Sequence, residues 1–597
     1  MSNYRLQILI CGGTGCVSSG CLEVEDALVE SLRKHGLYEE TKVIKVGCFG
    51  FCEQGPIVKV YPDNTFYVRV EAKDCEEIVA EHLLKGRPVK RLFFKEPSTG
   101  ERYSHHRDMP FYETQVRVAL KLCGIVDPEN IEDYLAVDGY DALAKALTEM
   151  TQMDVIDVIK ASGLRGRGGG GFPTGRKWET AYNAESNKKY VICNADEGDP
   201  GAFMDRSIME GDPHSVIEAM ALAAYAIGAD EGVVYIRAEY PLAVNRLKIA
   251  IEQAKAYGLL GKNILGTDFN FDIQVNLGAG AFVCGEETAL INSVQGERGE
   301  PNFKPPFPAQ VGLWKEPTVI NNVETYVNIP QIINNGADWF QSLGAPGNPG
   351  TKVFALAGKI NNVGLVEVPM GIKISDIIYK IGGGIRGGKK FKALQTGGPS
   401  GGCISQENID VEVTFDNLEK VGSMMGSGGM IVMDEDDCMV DIAKFYLDFT
   451  VEESCGKCTP CRIGNKRLYE TLENISKGKG KIEDLEELRD LGVIIKDCSL
   501  CGLGQTAPNP VLSTLNFFMD EYRAHVVDKK CPAGACKDLL EYVVIPEKCI
   551  ACTLCKRVCP VDCIIGEPKV IHVIDQARCI KCGACEAKCP KDAIVKQ

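Results

Sequence analysis

Two cysteine runs near the C-terminus constrain this chain more than any other feature. Cys549-x2-Cys552-x2-Cys555-x3-Cys559-Pro560 recurs thirty residues on as Cys579-x2-Cys582-x2-Cys585-x3-Cys589-Pro590. A disulfide framework does not need a doubled spacing of this kind. A pair of [4Fe–4S] clusters does, because three cysteines of each run ligate one cluster and the fourth ligates the other. The spacing therefore assigns Cys549, Cys552, Cys555 and Cys589 to one cluster, and Cys579, Cys582, Cys585 and Cys559 to the second. A chain so built moves single electrons, and the other residues have to say between what.

The bulk numbers narrow the answer. A length of 597 residues suggests about four domains. The net charge of −16, from 66 basic and 82 acidic residues, argues against nucleic acid, which needs a basic face. No apolar run approaches the ~18 residues of a bilayer span; residues 219–229, interrupted by Tyr225, read as a buried helix. Polar and charged residues stand where a signal peptide would have its apolar core, so a cytoplasmic location is expected. In a reducing compartment, 27 cysteines read as metal or cluster ligands.

The pattern predicts a multidomain α/β protein. Residues 1–90 form a small α/β domain, with strands over 6–10 and 41–46, helices over 22–35 and 75–84, and a hairpin turning at Pro62-Asp63-Asn64. Cys11-x4-Cys16 and Cys48-x3-Cys52 each follow a strand. Four thiolates at two strand ends suit a [2Fe–2S] cluster; a zinc site or redox thiols are the competing assignments. Residues 91–115 are charged and aperiodic, a linker with His105 and His106 in solvent. Residues 116–345 alternate strands and helices, 346–412 form a glycine-rich β-grasp-like insert, and 430–525 are helical. Residues 526–540 are a candidate zinc hinge before the cluster module at 541–597. Cys123, Cys193, Cys284, Cys403, Cys438 and Cys563 read as small buried residues.

The second strong feature is a loop at 163–178. It contains Gly166-x-Gly168-x-x-Gly171, and six of its first nine residues are glycine. A Rossmann reading is poor, because the loop follows a helical segment rather than a strand. Bare backbone N–H groups still let a phosphate or flat ring approach closely, with Arg165, Arg167, Arg176 and Lys177 supplying positive charge.

This loop, with Asn194-x-Asp196-Glu197-x-Asp199, Gly278 to Leu290 including Gly285-Glu286-Glu287, and Asn321-Asn322-x-x-Thr325, closely resembles the FMN- and NADH-binding subunit of complex I. The resemblance implies that Gly166, Gly168, Gly169 and Lys177 line the flavin and its phosphate. Asn194, Asp196 and Glu197 would hold the ribityl chain and ring. Gly285, Glu286 and Glu287 would sit at the flavin and nicotinamide, the two glutamates being the catalytic candidates. Asn321, Asn322 and Thr325 would close the site. Phe172 and Phe307 would sandwich the adenine of NAD(H), with Lys304 nearby and Asp199 beside the ribose, and Phe282 stands where the family often has tyrosine. The N-terminal set resembles a thioredoxin-like [2Fe–2S] domain.

Cys455-x2-Cys458-x2-Cys461 is a third [4Fe–4S] triad, for which the resemblance supplies Cys501 as fourth ligand and a place beside the flavin. Cys498, His525, Cys531 and Cys536 are then either a tetrahedral structural Zn2+ site or buried thiols with a helix-capping histidine. The fused order, with its C-terminal two-cluster ferredoxin domain, resembles the beta subunit of NAD(P)-linked, electron-bifurcating [FeFe]-hydrogenase. The diaphorase subunit of an NAD-linked formate dehydrogenase is the alternative. The expected cofactors are FMN, NAD(H), one [2Fe–2S] and three [4Fe–4S]. The expected partners are an [FeFe]-hydrogenase-like catalytic subunit, a small thioredoxin-like [2Fe–2S] subunit and ferredoxin, in a hetero-oligomer.

Overall fold

Strands Tyr190–Ala195, Glu231–Arg237, Asp272–Gly278 and Thr318–Asn322 are separated by helical crossovers, so they pair in parallel. Their order in the sheet is 318–322, 190–195, 231–237, 272–278. The computed structural model describes residues 4–596 of the chain and divides into two units, Met1–Val432 and Met433–Gln597. Helix Pro213–Ile227 is apolar nearly all round and is buried along its length except at Tyr225, as befits a central core helix. It starts at Asp212, whose side chain accepts from the Ser215 N–H, and ends at Gly228 with φ +77°.

Three of the four predicted flavin motifs begin at the C-terminal ends of strands in this sheet. They span the strand ends at Ala195, Gly278 and Asn322, the edge at which open parallel sheets bind ligands. The fourth, the glycine loop, joins helices Gln152–Ser162 and Thr174–Asn183, as the sequence indicated.

The insert is larger than expected. Its five strands run in the order 364–369, 351–358, 429–434, 391–396, 402–405. The interior strand Gly429–Asp434 pairs in parallel with Thr351–Gly358. The sheet therefore extends beyond 412, because a strand distant in sequence completes it. The N-terminal domain has the strand order 41–46, 6–11, 58–61, 65–67. Its core is continuous with that of the insert: Ile8, Leu28, Phe51, Phe354, Leu356 and Val432 belong to one apolar cluster.

Residues 91–115 are not a solvated linker. Phe94, Met109 and Phe111 are at most 2% exposed, and Phe111 stacks on Phe51 at 4.4 Å. His106 stacks on Phe66 at 5.4 Å, and burial lowers its pKa to about 3. Isolated large apolar residues among charges carry no periodicity, which is why the sequence pattern missed them.

In the second unit, helices Met439–Glu452, Asn465–Ser476, Glu483–Cys498 and Asn509–Phe517 enclose an apolar core that includes Leu447, Leu468, Leu488 and Leu515. The C-terminal module has two short antiparallel pairs, Tyr542–Val544 with Ile594–Lys596 and Ile564–Ile565 with Val573–Ile574.

Candidate functional site

The glycine loop is held from behind and left bare in front. The Gly166 N–H donates to the Phe172 carbonyl at 2.9 Å, and the Thr174 N–H to the Leu164 carbonyl at 2.9 Å. A Cβ on Gly168 would lie 2.8 Å from Asn322 Cβ, and Gly169 has φ +118°. Both positions therefore require glycine. Gly168 and Gly170 face solvent.

Two of the four cations are structural, which corrects the expectation that all supply charge. Arg167 is buried; its guanidinium donates to the carbonyls of Thr351 (3.0 Å), Pro349 (2.7 Å) and Arg165 (3.0 Å), and its backbone N–H donates to Thr325 Oγ1 (2.8 Å). Arg165 donates to the Gly171 carbonyl at 2.7 Å and lies 4.3 Å from the Phe415 ring centroid. Lys177 stays at the site. Its ammonium donates to the Ile320 carbonyl at 2.9 Å and stands 3.7 Å from Glu287. Loop N–H groups beside a lysine form a donor set suited to a phosphate, so these residues fit the FMN that the sequence implies.

The acidic motifs divide their roles. Asn194 donates to the Gly285 carbonyl at 2.9 Å and accepts from the Asp196 N–H at 3.1 Å, joining two motifs. Glu197, expected at the flavin ring, instead caps helix Met204–Gly211, accepting from the N–H groups of Asp205 and Arg206 at 3.1 Å each. An unsatisfied helix start buried next to a carboxylate makes that the stronger claim on it. Glu286 similarly caps helix Glu287–Val294 through Thr288 and Ala289, and also accepts from Lys304 at 2.7 Å. Burial works to raise the pKa of Glu287, but Lys177 and Lys304 outweigh it and hold the carboxyl below its usual value. Of the two catalytic candidates, Glu287 is the one held charged between cations.

Asn321 accepts from the Trp178 indole N–H at 3.0 Å, and Asn322 caps helix Val323–Asn335 while donating to Asp205 at 2.5 Å. Phe172 and Phe307 are 54% and 53% exposed, available to a flat ligand. Phe282 packs on Gly198, where a Cβ would meet the ring at 2.6 Å. Asp199 accepts from Ser427 and lies against Gly398; burial pushes its carboxyl up to about 6.

The thiols converge in sets. The Cys11 thiol contacts those of Cys16 and Cys48, and Cys48 Sγ is 3.7 Å from Cys52 Sγ. Helix Met204–Gly211 reaches from the Glu197 cap to this set. Thr14 donates to Glu210 through its backbone N–H at 2.9 Å and through its hydroxyl, and a Cβ on Gly47 would lie 2.2 Å from Gly211 Cα. Glu210 had no signal in the sequence.

In the second unit, Cys461 lies near Cys455, Cys458 and Cys501 and accepts from Asn465 Nδ2 at 3.4 Å. Two cavities in the C-terminal module are lined by Cys549, Cys552, Cys555 and Cys589 and by Cys559, Cys579, Cys582 and Cys585. The cavities gather the cysteines in the same crossed sets as the spacing does.

The fourth set needs a correction. Cys438, His525, Cys531 and Cys536 are buried with their ligand atoms within 4.8 Å of one another, whereas Cys498 is exposed at the end of its helix. His525 Nε2 lies 3.4 Å from Cys438 Sγ and 3.3 Å from Cys536 Sγ, while Nδ1 faces the Glu521 carbonyl at 2.7 Å. Cys438 sits one residue before helix Met439–Glu452, 87 positions from His525, a separation that gives no local spacing to read.

Three regions match described domain families. The Nuo51 FMN-binding domain covers residues 159–331, the NADH-ubiquinone oxidoreductase-F iron–sulfur binding region covers 441–525, and the 4Fe-4S binding domain covers 542–565 and 572–595. Fold and site together define the subunit of an NAD(P)-linked flavin and iron–sulfur oxidoreductase. The NADP-reducing hydrogenase subunit HndC of Solidesulfovibrio fructosivorans is 63% identical over 77% of this chain and 93% of its own length. The F 2 subunit of the NADH-quinone oxidoreductase of Rhizobium meliloti is 45% identical over 70% of this chain and 99% of its own length. A crystal structure of an NAD+-reducing [NiFe]-hydrogenase in the H2-reduced state superposes with a TM-score of 0.62 at 28% identity, covering 88% of this chain and 85% of that one. The chain belongs to the family of flavin-binding subunits that HndC of NADP-reducing hydrogenase and the F subunits of NADH-quinone oxidoreductases represent. Among the described residues no helix is long and apolar enough to cross a membrane.

Proposed function

We propose that the chain is the NAD(P)H-oxidising subunit of an electron-bifurcating hydrogenase, exchanging electrons with a separate H2-activating subunit and with ferredoxin. The observation that carries this reading is the union, in one chain, of a flavin-type crib with the two cysteine-lined cavities of the C-terminal module. Bound FMN would take a hydride from the nicotinamide and return electrons singly, as iron–sulfur clusters require. The protein's part is to bind and orient. The glycine-loop N–H groups and Lys177 hold the phosphate, Glu287 fixes the two lysines, and Phe172 and Phe307 offer faces to the adenine. An [FeFe]-hydrogenase-like subunit and a small thioredoxin-like [2Fe–2S] subunit are the partners this reading requires, and co-purification identifies them.

On this reading Cys11, Cys16, Cys48 and Cys52 hold a [2Fe–2S] cluster in a thioredoxin-like domain. The eight-residue helix Met204–Gly211 supports it as a second electron arm, since about 12 Å of helix separates the flavin motif from the thiols. Cys455, Cys458, Cys461 and Cys501 hold a [4Fe–4S] cluster, and the C-terminal module holds two more. Cys438, His525, Cys531 and Cys536 hold zinc. The 3.7 Å between Cys438 and Cys536 sulfurs is close to the ~3.8 Å edge of a tetrahedron with 2.3 Å Zn–S bonds, and the Glu521 carbonyl orients the histidine as an outer partner.

Removing residues 541–597 spares NADH oxidation by an artificial dye and abolishes ferredoxin-coupled activity. Full ferredoxin coupling in the truncated protein would sink the role given to the C-terminal module. The nucleotide preference follows from Asp199. A carboxylate beside the ribose repels a 2′-phosphate, so Asp199→Asn raises kcat/KM for NADPH relative to NADH by about tenfold, roughly 1.4 kcal/mol. Because burial raises this pKa to about 6, the carboxylate is charged above that pH. Discrimination against NADPH therefore weakens as pH falls through 6 more steeply in the wild type than in the variant, where only the 2′-phosphate, with its own second pKa of about 6, still titrates, as steady-state kinetics across pH 5–8 would measure.

A further inference from the structure

The C-terminal module is an internal repeat, and its departure from symmetry points to one side chain. Shifting the first half by thirty residues carries Cys549 onto Cys579, Cys559 onto Cys589 and Tyr542 onto His572. Each of these two rings lines the cavity built mainly by the other half's cysteines: Tyr542 that of Cys579, Cys582 and Cys585, and His572 that of Cys549, Cys552 and Cys555. Tyr542 lays its hydroxyl against Gly583, where a Cβ would lie 2.9 Å away. His572 instead turns a nitrogen to sulfur, with Nδ1 4.0 Å from Cys549 Sγ.

His572 is 1% exposed, and its Nε2 has no hydrogen-bond partner among the described residues. Gly566 makes room for the ring, since a Cβ there would meet Cδ2 at 2.5 Å. A proton on Nε2 would be a buried donor without an acceptor, which costs more than an unmatched lone pair. Of the two single-proton tautomers the site therefore favours the one with its proton on Nδ1, aimed at the cysteine.

The halves share a backbone donor at each fourth cysteine, while the second set has one more, the Lys581 N–H to Cys579 Sγ at 3.4 Å, which the imidazole on the first set has to outweigh. The Cys563 N–H donates to Cys559 Sγ at 3.4 Å, and the equivalent Ala593 N–H donates to Cys589 Sγ at 3.2 Å. The Cys559 side has one side-chain neighbour of its own, the Cys563 thiol at 3.4 Å, but S–H is the weaker donor.

We propose that His572 is a tuning residue that makes the two clusters of the module unequal, raising the potential of the one on Cys549, Cys552, Cys555 and Cys589. A hydrogen bond to a ligating thiolate favours the reduced cluster, which carries the extra negative charge. An electron entering the module therefore rests first on the Cys549 cluster. This rests on the reading that the module holds two clusters, which iron and sulfide content of each variant reports separately.

The test is an EPR-monitored redox titration of the full chain. At a potential where the more positive cluster of the module is half reduced, His572→Phe lowers its reduced-to-oxidised ratio about tenfold, the order of effect of one hydrogen bond to a charged group. His572→Gln, which keeps an N–H donor, retains most of the ratio, and the second cluster moves in neither variant. An unchanged ratio in both variants, or an equal fall in both, overturns the proposal. Wild-type chain labelled with [15N]histidine provides an arm that needs no variant. Reduced by one electron in the module, it shows a histidine nitrogen coupling by electron spin echo, and absence of that coupling overturns the assignment.

Discussion

Glu324→Ala lowers the stability of the Met1–Val432 unit by about 3–5 kcal/mol, the cost of leaving one partner of a buried ion pair uncompensated. Glu324 and Lys352 are 1% and 0% exposed and in direct contact. Glu324 sits in the first turn of helix Val323–Asn335, next to the flavin motif residues Asn322 and Thr325, and also accepts from the Val353 N–H at 2.8 Å. Lys352 lies on the first strand of the inserted sheet and donates to the Ser427 carbonyl at 2.6 Å. The pair thus fastens the inserted sheet to the flavin domain, and Ser427 in turn holds Asp199. Denaturant unfolding of the Glu324→Ala chain measures the loss. Adding Lys352→Met recovers part of it, because an apolar side chain removes the stranded charge. A Glu324→Ala chain within 1 kcal/mol of wild type would refute the assignment of this contact as a buried charge pair. Flavin content falls with the single variant and returns with the double one, provided the pair acts through fold alone.

Cys438→Ser removes zinc from the purified protein, whereas Cys498→Ser leaves one zinc per chain. Metal analysis reads this without reference to activity. Apparent binding energies for structural zinc reach about 10–16 kcal/mol in small peptides. The helical domain has a core of its own around Leu447, Leu468 and Leu488, so less is lost here. A loss of about 5 kcal/mol would lower the melting temperature of a unit of this size by about 10–20 °C. Equal zinc content in the Cys438→Ser and wild-type proteins would dispose of the site.

The two variants also mark where sequence reading succeeds and fails. Cys549 to Cys559 and Cys579 to Cys589 each lie within eleven residues, and the crossed ligand sets match the two cavities. The same holds for Cys455 to Cys461, where the triad is local and Cys501 is the distal cysteine near it. The zinc-type set spreads its donors from 438 to 536. Spacing brings three of this buried set together, because 525, 531 and 536 are neighbours in sequence. It points to Cys498, nearer in sequence but exposed, where the structure places Cys438.

The flavin crib divides along the same line. Its glycines could be read directly, since φ +118° at Gly169 and the contact of Gly168 with Asn322 admit no side chain. Two of the charged side chains could not. Arg167 is drawn into the interior by three carbonyls, and Glu197 by the start of a helix. Both answer backbone groups supplied from elsewhere in the chain.

The sequence by itself determined the cluster runs, the glycine loop, the parallel strand and helix alternation, and hence the class of chemistry. Those features are written in short-range spacing, and covalent geometry converts spacing into position without help from distant residues. Only the tertiary structure decided that Phe94, Met109 and Phe111 join the core, that Gly429–Asp434 completes the inserted sheet, that Cys438 joins His525, and that Glu287 is held charged between two lysines. Each of those depends on burial and on contacts between segments tens to hundreds of residues apart, where the cost of leaving a charge, a strand edge or a polar atom unpaired selects the partner.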